Sequence, residues 1–323
     1  MKLLVPDYFL NFKCIADKCT DSCCIGWEID IDEHSRAKYA AMKHEIGKEI
    51  REKTTHGYFP LEKNGRCTFL DCKGLCRIIS TVGDEYLCDI CREHPRYYGI
   101  ADGILEGGLG LACPEAARII LSLNQLPKLV QTEREVKYFD EDDYASFSDA
   151  IRTKLFSVIF KSDILELVGI YKAYASIADE SAFEAVSTNR TPELSTEPTK
   201  KTADIDDVRD TISQTIELLE ECDALTDDWR DTLKKARRID VRTLKTDTIR
   251  SLLYYFTHRY VREGVEDMSI GGRILFALSS SLATAAIASA IGNDVSAALL
   301  YSKNIEYSTD NVDSIIDGLN QYL

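Results

Sequence analysis

Cysteine is the residue whose number and spacing in this 323-residue chain could do the most chemistry. Ten of the eleven cysteines lie between Cys14 and Cys113, and only Cys222 lies beyond them. Thiolates a few residues apart on turns can converge on one metal ion or cluster. The spacing therefore predicts a cysteine-ligated metal site. Its candidate ligands are Cys14, Cys19, Cys23, Cys24, Cys67, Cys76, Cys88, Cys91 and Cys113.

The same cysteines could instead form disulfides, but the start of the chain argues against this. Its first apolar run is short and ends at Pro6-Asp7, unlike a signal peptide. We therefore expect a cytoplasmic protein with reduced thiols that bind metal. Zinc modules usually repeat Cys-x2-Cys pairs, and only Cys88 and Cys91 make one. The irregular spacing favours an iron–sulfur cluster, with zinc as the alternative, and one or two centres are possible.

Several neighbours of these cysteines have predicted roles. Adjacent cysteines normally point apart, so Cys23 and Cys24 are expected to do different jobs. Cys113 precedes Pro114, which suits a first helical turn, so the helix dipole should favour the Cys113 thiolate. Arg92 and Arg96 flank the Cys88–Cys91 turn, where they could balance the charge of a thiolate-ligated cluster, bind a cofactor carboxylate or form surface ion pairs. Two aromatic residues are expected to shield a cluster from water or to pack in a core. They are Trp27 and Phe69.

Charge limits the partners. The formal net charge is −15, which argues against nucleic acid and favours a cationic partner such as a lysine side chain. Residues 1–121 hold 16 basic and 19 acidic residues, against 23 and 35 in residues 122–323. The uncharged run at 274–291 is rich in Ser, Ala and Thr, so we expect a buried helix and no membrane span.

These features predict a mainly α protein in two parts. Residues 1–123 are expected to form a cysteine-rich, loop-rich metal-binding domain with little β, in which metal bonds replace a missing core. Alternation at 27–31 and the run 105–113 predict short strands, and Gly107, Gly108 and Gly110 predict a turn or sheet edge. Residues 124–323 are expected to form an all-helical bundle, interrupted by a flexible loop at about 187–203.

Helical periodicity gives the expected bounds of individual elements. One amphipathic helix is expected at 35–50 and another at 114–123. Two helices should follow from about residue 144, divided near 161–163, and a further helix should begin near Ile205. The remaining helices are expected at 247–263, 271–291, 295–302 and 310–322. Thr309 or Asp310 could cap the last one.

The chain resembles the flagellin lysine-N-methylase (FliB) family in several specific motifs. They include Tyr8-x3-Phe12-x-Cys14 and the run from Cys19 to Trp27. They continue in Leu87-Cys88-x2-Cys91-Arg92-x2-Pro95-Arg96 and in Cys113-Pro114-Glu115-Ala116-Ala117-Arg118. Near the carboxyl end, Tyr254-Tyr255-Phe256-x2-Arg259-Tyr260 and Tyr301-Ser302-Lys303-x-Ile305-Glu306-Tyr307 are also similar to the family. The cysteine pattern also resembles the wider group of zinc- or iron-chelating cysteine-cluster proteins.

The resemblance implies a protein-lysine N-methyltransferase that uses S-adenosylmethionine, acts on flagellin or another lysine-bearing protein, and holds a 4Fe-4S cluster. Methyl transfer needs a neutral lysine, so a carboxylate or phenol could accept its proton. The catalytic candidates are Glu115, Glu306 and Tyr307, each of which could instead be a packing or surface residue. Two other functions stay open: a non-catalytic zinc- or iron-binding protein, or an iron–sulfur redox protein.

Overall fold

The structure is a computed structural model that describes residues 2–101, 104–132, 145–187, 202–224, 228–262 and 269–322. Helices make up most of the described chain, which confirms the predicted mainly α class. The expected loop at 187–203 lies largely outside the described residues. The division of the chain at residue 123 stays a prediction.

A four-stranded sheet brings the start of the chain together with residues 96–132. Its order is β4-β5-β1-β6, in which β1 pairs parallel to β5 and antiparallel to β6. A second, two-stranded sheet joins β2 to β3. The strands are β1 Leu3–Pro6, β2 Ile29–Asp30, β3 Tyr58–Phe59, β4 Arg96–Ala101, β5 Ile104–Leu109 and β6 Leu129–Thr132.

The glycine-rich segment lies inside the larger sheet, so the prediction of a turn or edge was wrong. Gly107 and Gly108 pair with Tyr98 and Tyr97 of β4, and β5 is an interior strand. A Cβ on Gly108 would lie 2.3 Å from the Tyr97 hydroxyl. The glycines therefore make room for large tyrosine rings on the neighbouring strand.

Short helices follow the first strand. The predicted helix at 35–50 is two helices, because the chain is extended at Met42 and His44 then begins a new helix by accepting a hydrogen bond from the Ile46 N–H. The helix predicted at 114–123 is confirmed as α6. The helices are α1 Asp7–Asn11, α2 Glu33–Ala41, α3 Glu45–Lys53, α4 Arg77–Val82, α5 Asp89–Glu93 and α6 Pro114–Leu121.

A small hydrophobic core holds the cysteine-rich segment together. The expectation that this segment lacks a core was therefore wrong. Phe69 is 1% exposed at its centre, Ile50 is fully buried, and Trp27 packs at its margin. The thiols of Cys67 and Cys88 are themselves core members. We call residues 23–91, which surround this core, the thiol unit.

The larger core joins the four-stranded sheet to the remaining helices. Two features differ from expectation: α10 was missed, and Ser308, not Thr309 or Asp310, caps the last helix. The helices are α7 Ala145–Ile159, α8 Ile164–Ser187, α9 Ile205–Glu221, α10 Asp228–Ala236, α11 Thr246–Tyr260, α12 Ile270–Ile291, α13 Asp294–Tyr301 and α14 Thr309–Asn320. A π-helical turn, Ser302–Glu306, separates the last two.

Helix α12 is the centre of the larger core. It packs against α8, α9, α10, α11, α13 and α14. By length and composition it could cross a membrane, but 83% of its apolar window is buried inside the protein. Ser279, Ser280 and Ala283 are among its fully or almost fully buried residues. The prediction of a buried helix with small residues is confirmed.

Candidate functional site

All eleven cysteines are free thiols, and they divide into two groups and two single residues. Within each group the charge of one thiol raises the pKa of another, and Cys23 of the inner group also acts on Cys19 of the outer group. The inner thiol group is Cys23, Cys24, Cys67, Cys76, Cys88 and Cys91. The outer thiol group is Cys14, Cys19 and Cys113. Exposed Cys72 and buried Cys222 belong to neither.

Backbone contacts bring the inner group together from three chain segments. The Cys67 N–H donates to the Cys24 carbonyl oxygen at 2.7 Å. Asp32 caps α2 by accepting from the Ser35 N–H at 2.8 Å, and its second oxygen accepts from the Asp89 N–H at 2.9 Å. That bond fixes the turn between Cys88 and Cys91 on the end of α2. The thiols therefore converge because loops are anchored to the small core.

In two thiol pairs of the inner group, one thiol stabilises the thiolate of the other. A hydrogen bond from Cys24 lowers the pKa of Cys23 to about 7, and Cys24 accordingly holds its own proton more tightly. The adjacent thiols therefore meet, contrary to the expectation that they point apart. A hydrogen bond from Cys91 likewise lowers the pKa of Cys88. Burial raises the pKa of Cys67 and Cys76, so the group as a whole resists carrying several negative charges without a cation.

Cys113 begins α6 as predicted, but its thiolate is not favoured. Burial raises the pKa of Cys113 to about 11 and outweighs the backbone N–H groups of Ala116 and Glu115, which act in the opposite direction. The expected effect of the helix terminus is thus present but smaller than the cost of removing a thiolate from water.

The donor set has the chemistry of a thiolate-ligated metal centre, because six thiols from three chain segments lie near enough to affect one another. In the described part of the chain, no three His, Cys, Asp or Glu side chains are arranged to hold a metal ion as they stand. The nine predicted ligands therefore remain a prediction.

A cavity of about 120 Å³ lies beside the thiols, between the sheet and the π-helical turn. Tyr307, at its edge, contacts the Trp27 ring with centroids 5.3 Å apart. The thiols of Cys23 and Cys113 are close enough to Tyr307 to contribute to raising its phenol pKa. The lining of the cavity includes His94, Arg96, Tyr97, Arg259, Glu306 and Tyr307.

Glu306 is the most buried charged group of the cavity, with a side chain 1% exposed. Its Oε1 accepts hydrogen bonds from the hydroxyls of Tyr255 at 2.6 Å and Tyr260 at 2.8 Å, and it lies 3.0 Å from Nη1 of Arg259. Burial raises the pKa of both tyrosines, so both remain protonated donors. Oε2 of Glu306 is buried and has no hydrogen-bond partner. One carboxylate oxygen is thus held and the other is available.

His94 supplies a second available acceptor in the same cavity. Its Nε2 is buried without a hydrogen-bond partner. Burial, followed by the charge of Lys303, lowers the pKa of His94 to about 4, so the imidazole is neutral at physiological pH. Lys303 itself pairs with Asp21, and Tyr307 keeps its proton because burial raises its pKa.

The remaining predicted residues divide between cavity and surface. Arg96 lines the cavity, and its guanidinium lies 5.5 Å from the Phe9 ring and 5.3 Å from the Phe12 ring. Arg92 lies outside the cavity lining, is 42% exposed and pairs with Asp89, which matches the surface alternative.

Glu115 also lies outside the cavity lining. It receives two hydrogen bonds from Arg118, at 2.8 and 2.7 Å, which lower its pKa. The carboxylate therefore serves a local ion pair on the first turn of α6.

Sequence reasoning assigned no role to His94 or to Arg259. Both lie inside motifs that resemble the FliB family, next to Pro95 and Tyr260 respectively. That proximity was a usable signal. The burial that leaves Nε2 of His94 without a partner could be found only in three dimensions.

Comparison with known proteins gives a consistent picture. The chain is 32% identical to the flagellar biosynthetic protein FliU of Salmonella muenchen, over 36% of this chain and 75% of that protein. It is also 32% identical to the lysine-N-methylases of Salmonella choleraesuis and Salmonella typhimurium, but covers only 32% of each. No family model and no solved structure matches. Because it aligns with three quarters of FliU, the chain belongs to the FliB-like family of lysine-N-methylase and FliU proteins.

Proposed function

We propose that this protein is a protein-lysine N-methyltransferase that uses S-adenosylmethionine and acts on flagellin. The family supports methyltransferase function, since two relatives are named lysine-N-methylases and one is named a flagellar biosynthetic protein. The single structural observation that carries the proposal is the cavity beside the thiols. It holds a buried carboxylate oxygen and a buried imidazole nitrogen, neither of which has a partner.

Methyl transfer to lysine is a displacement at carbon. The lone pair of the lysine Nζ attacks the methyl carbon, and a nitrogen–carbon bond forms as the sulfur–carbon bond breaks. The electron pair of the broken bond goes to sulfur, which leaves S-adenosylhomocysteine. One proton leaves the nitrogen, and the nitrogen must be neutral when it attacks because an ammonium has no lone pair.

The lysine becomes neutral by losing its contacts with water at the mouth of the cavity. Burial lowers the pKa of an amine, so the lysine releases its proton to solvent water as it is desolvated. Tyr307 holds its own proton, and Oε1 of Glu306 is held by the hydroxyls of Tyr255 and Tyr260. Tyr307 and Glu306 therefore orient ligands and take no proton from the lysine.

The proposal includes a metal centre held by the two thiol groups, with an iron–sulfur cluster favoured over zinc. A zinc ion or an iron–sulfur cluster takes four ligands, and the inner group has six thiols to supply them. Cys14, Cys19 and Cys113 could contribute to a second centre. A bound cluster would supply positive charge that stabilises the clustered thiolates and ties the loops of the thiol unit together. Tyr307 would then lie between this centre and the cavity.

The test uses anaerobically purified full-length protein. Methyl-labelled S-adenosylmethionine and flagellin are incubated with it, and label on lysine is located by mass spectrometry. We expect methylated lysine with the wild type and at least a tenfold lower rate with Glu306→Gln, since a charge that orients the ligand is lost. Glu115→Gln is the matched control and should retain the wild-type rate.

Metal content separates the competing functions. Iron together with acid-labile sulfide supports the cluster, and zinc alone would remove it. Fully metallated protein that transfers no methyl group to flagellin or to lysine-containing peptides contradicts the enzyme proposal. It would leave a metal-binding protein in its place. Reversible one-electron reduction coupled to turnover of a substrate would instead indicate a redox enzyme.

A further inference from the structure

The cavity by the π-helical turn has three polar side chains with an unpaired atom or charge. They are Glu306, His94 and Arg96. Oε2 of Glu306 and Nε2 of His94 are buried acceptor positions without partners. An unpaired buried polar atom costs free energy unless a ligand or water satisfies it. Together they call for a ligand with several N–H donors, such as an ammonium group.

Arg96, by contrast, calls for a negatively charged group on the ligand. Among the described residues no carboxylate pairs with its guanidinium, which lies over the rings of Phe9 and Phe12. Arg259, the other cation of the lining, is already within 3.0 Å of Glu306. Arg96 is therefore the guanidinium available to a ligand carboxylate, and its planar fork matches that group.

The size of the cavity limits what can enter. Its volume of about 120 Å³ corresponds to roughly four water molecules at ~30 Å³ each. That is room for a small charged head group and little more. Because Tyr307 at its edge is half-exposed, the rest of a larger ligand can extend outward past the Trp27 and Tyr307 rings.

We propose that this cavity binds an α-amino acid head group, with the carboxylate on Arg96 and the ammonium between Oε2 of Glu306 and Nε2 of His94. A neutral imidazole can accept at Nε2 when its proton is on Nδ1. The proposed methyltransferase activity makes the methionine end of S-adenosylmethionine the natural bearer of this head group. In that respect the inference rests on the proposed function, while the head-group chemistry is independent of it.

Calorimetry with two matched ligands tests the inference on anaerobically prepared full-length protein. S-adenosylhomocysteine carries the head group, and 5′-methylthioadenosine has the same nucleoside and sulfur without it. We expect the wild type to bind S-adenosylhomocysteine at least tenfold more tightly. Arg96→Met keeps the apolar stem over the phenylalanine rings but removes the charge, so it should abolish this preference. Binding of 5′-methylthioadenosine should stay unchanged.

Two further variants sharpen the result. Glu306→Gln should reduce the preference in the same way, and an unchanged thermal midpoint of Arg96→Met shows that folding is intact. Arg92→Met is the matched control, because Arg92 forms a surface pair with Asp89 in the same segment. Equal affinities for the two ligands in the wild type, or a preference that survives Arg96→Met, would overturn the inference.

The outcomes also separate this inference from the proposed function. Binding of L-methionine that depends on Arg96, without binding of either nucleoside, supports the head-group site but assigns it to a free amino acid. Lysine methylation by a protein whose ligand preference ignores Arg96 contradicts the site and leaves the enzyme proposal intact.

Discussion

The thiol unit and the larger core bury polar groups in opposite ways. In the larger core, Glu106 is surrounded by Arg152, whose guanidinium donates to it at 2.6 and 2.8 Å, and by Arg262 at 3.0 Å. These charges neutralise one another inside the protein. In the thiol unit, burial and then the neighbouring thiols instead oppose ionisation of Cys67 and Cys76. The larger core thus pairs its buried charges, whereas the thiol unit buries side chains that resist becoming charged.

The largest expected effect separates the two regions directly. If the inner thiols hold a metal, its removal by an anaerobic chelator should expose α2 and α3 to amide hydrogen exchange while α12 stays protected. Structural metal sites contribute on the order of 10 kcal/mol to folding. Hydrogen exchange with mass spectrometry measures both regions in one experiment. Cys72→Ser, outside both thiol groups, should keep its metal. Equal loss of protection in α3 and α12 would end the distinction.

Loss of one charge in the larger core should be the next largest effect. Glu106→Gln removes one of the two carboxylates that Arg152 and Arg262 share, and leaves these two side chains, each 6% exposed, with the other carboxylate, Asp149. We expect destabilisation of about 3–5 kcal/mol in urea unfolding. Asp240→Asn breaks the exposed Asp240–Arg242 pair and should leave the urea midpoint almost unchanged. A similar loss of stability in the two variants would contradict the view that Glu106 stabilises the buried arginines.

The carboxylate of Glu106 also makes the free energy of unfolding depend on pH. Burial alone would raise the pKa of Glu106, but the hydrogen bonds and charge of Arg152 prevail and lower it from 4.5 to about 2. Because the pKa is lower in the folded state, the stabilisation is fully present above about pH 4.5. It is lost as pH falls towards 2. The loss should be roughly 3 kcal/mol. Subtracting the Glu106→Gln profile from the wild-type profile isolates it, and parallel profiles would contradict the assignment.

The smallest expected effect concerns the contact between the two regions. Trp27 of the thiol unit contacts Tyr307, which follows the π-helical turn. A double-mutant cycle with Trp27→Leu and Tyr307→Leu should give a coupling of about 1 kcal/mol, typical of an aromatic pair. Metal-free protein should show less coupling, if the thiol unit loosens as expected. A coupling near zero in the intact protein would mean that the regions are energetically independent.

Local patterns in the sequence predicted most of the helices, because apolar residues at three- and four-residue spacing determine which face is buried. Helix α10 was missed although Trp229 and Leu233 have that spacing. The sheet was harder to predict, since β1 pairs with β5 about a hundred residues away, and such pairing leaves little local signal. The break at Met42 depends on His44 as a cap, a residue less often used in that position.

The cysteine pattern predicted nine metal ligands, which stay a prediction, and the structure places these residues in two groups. The cavity could not have been predicted in the same way. It depends on β4, α11 and the π-helical turn meeting at one place, and on burial that leaves atoms of His94 and Glu306 without partners. Of the three catalytic candidates, Glu306 and Tyr307 line the cavity and Glu115 does not, and their catalytic roles stay predictions.

The π-helical turn has one more consequence. A wide turn of this kind accommodates an additional residue in a helical path. Within five consecutive positions it points Lys303 at Asp21 near the thiols and Glu306 into the cavity. Each residue of an ordinary helix advances by about 100°. Deleting a single residue here would rotate Glu306 and Tyr307 out of place together. The spacing of this short segment thus sets the angular alignment between the thiol-bearing loops and the cavity.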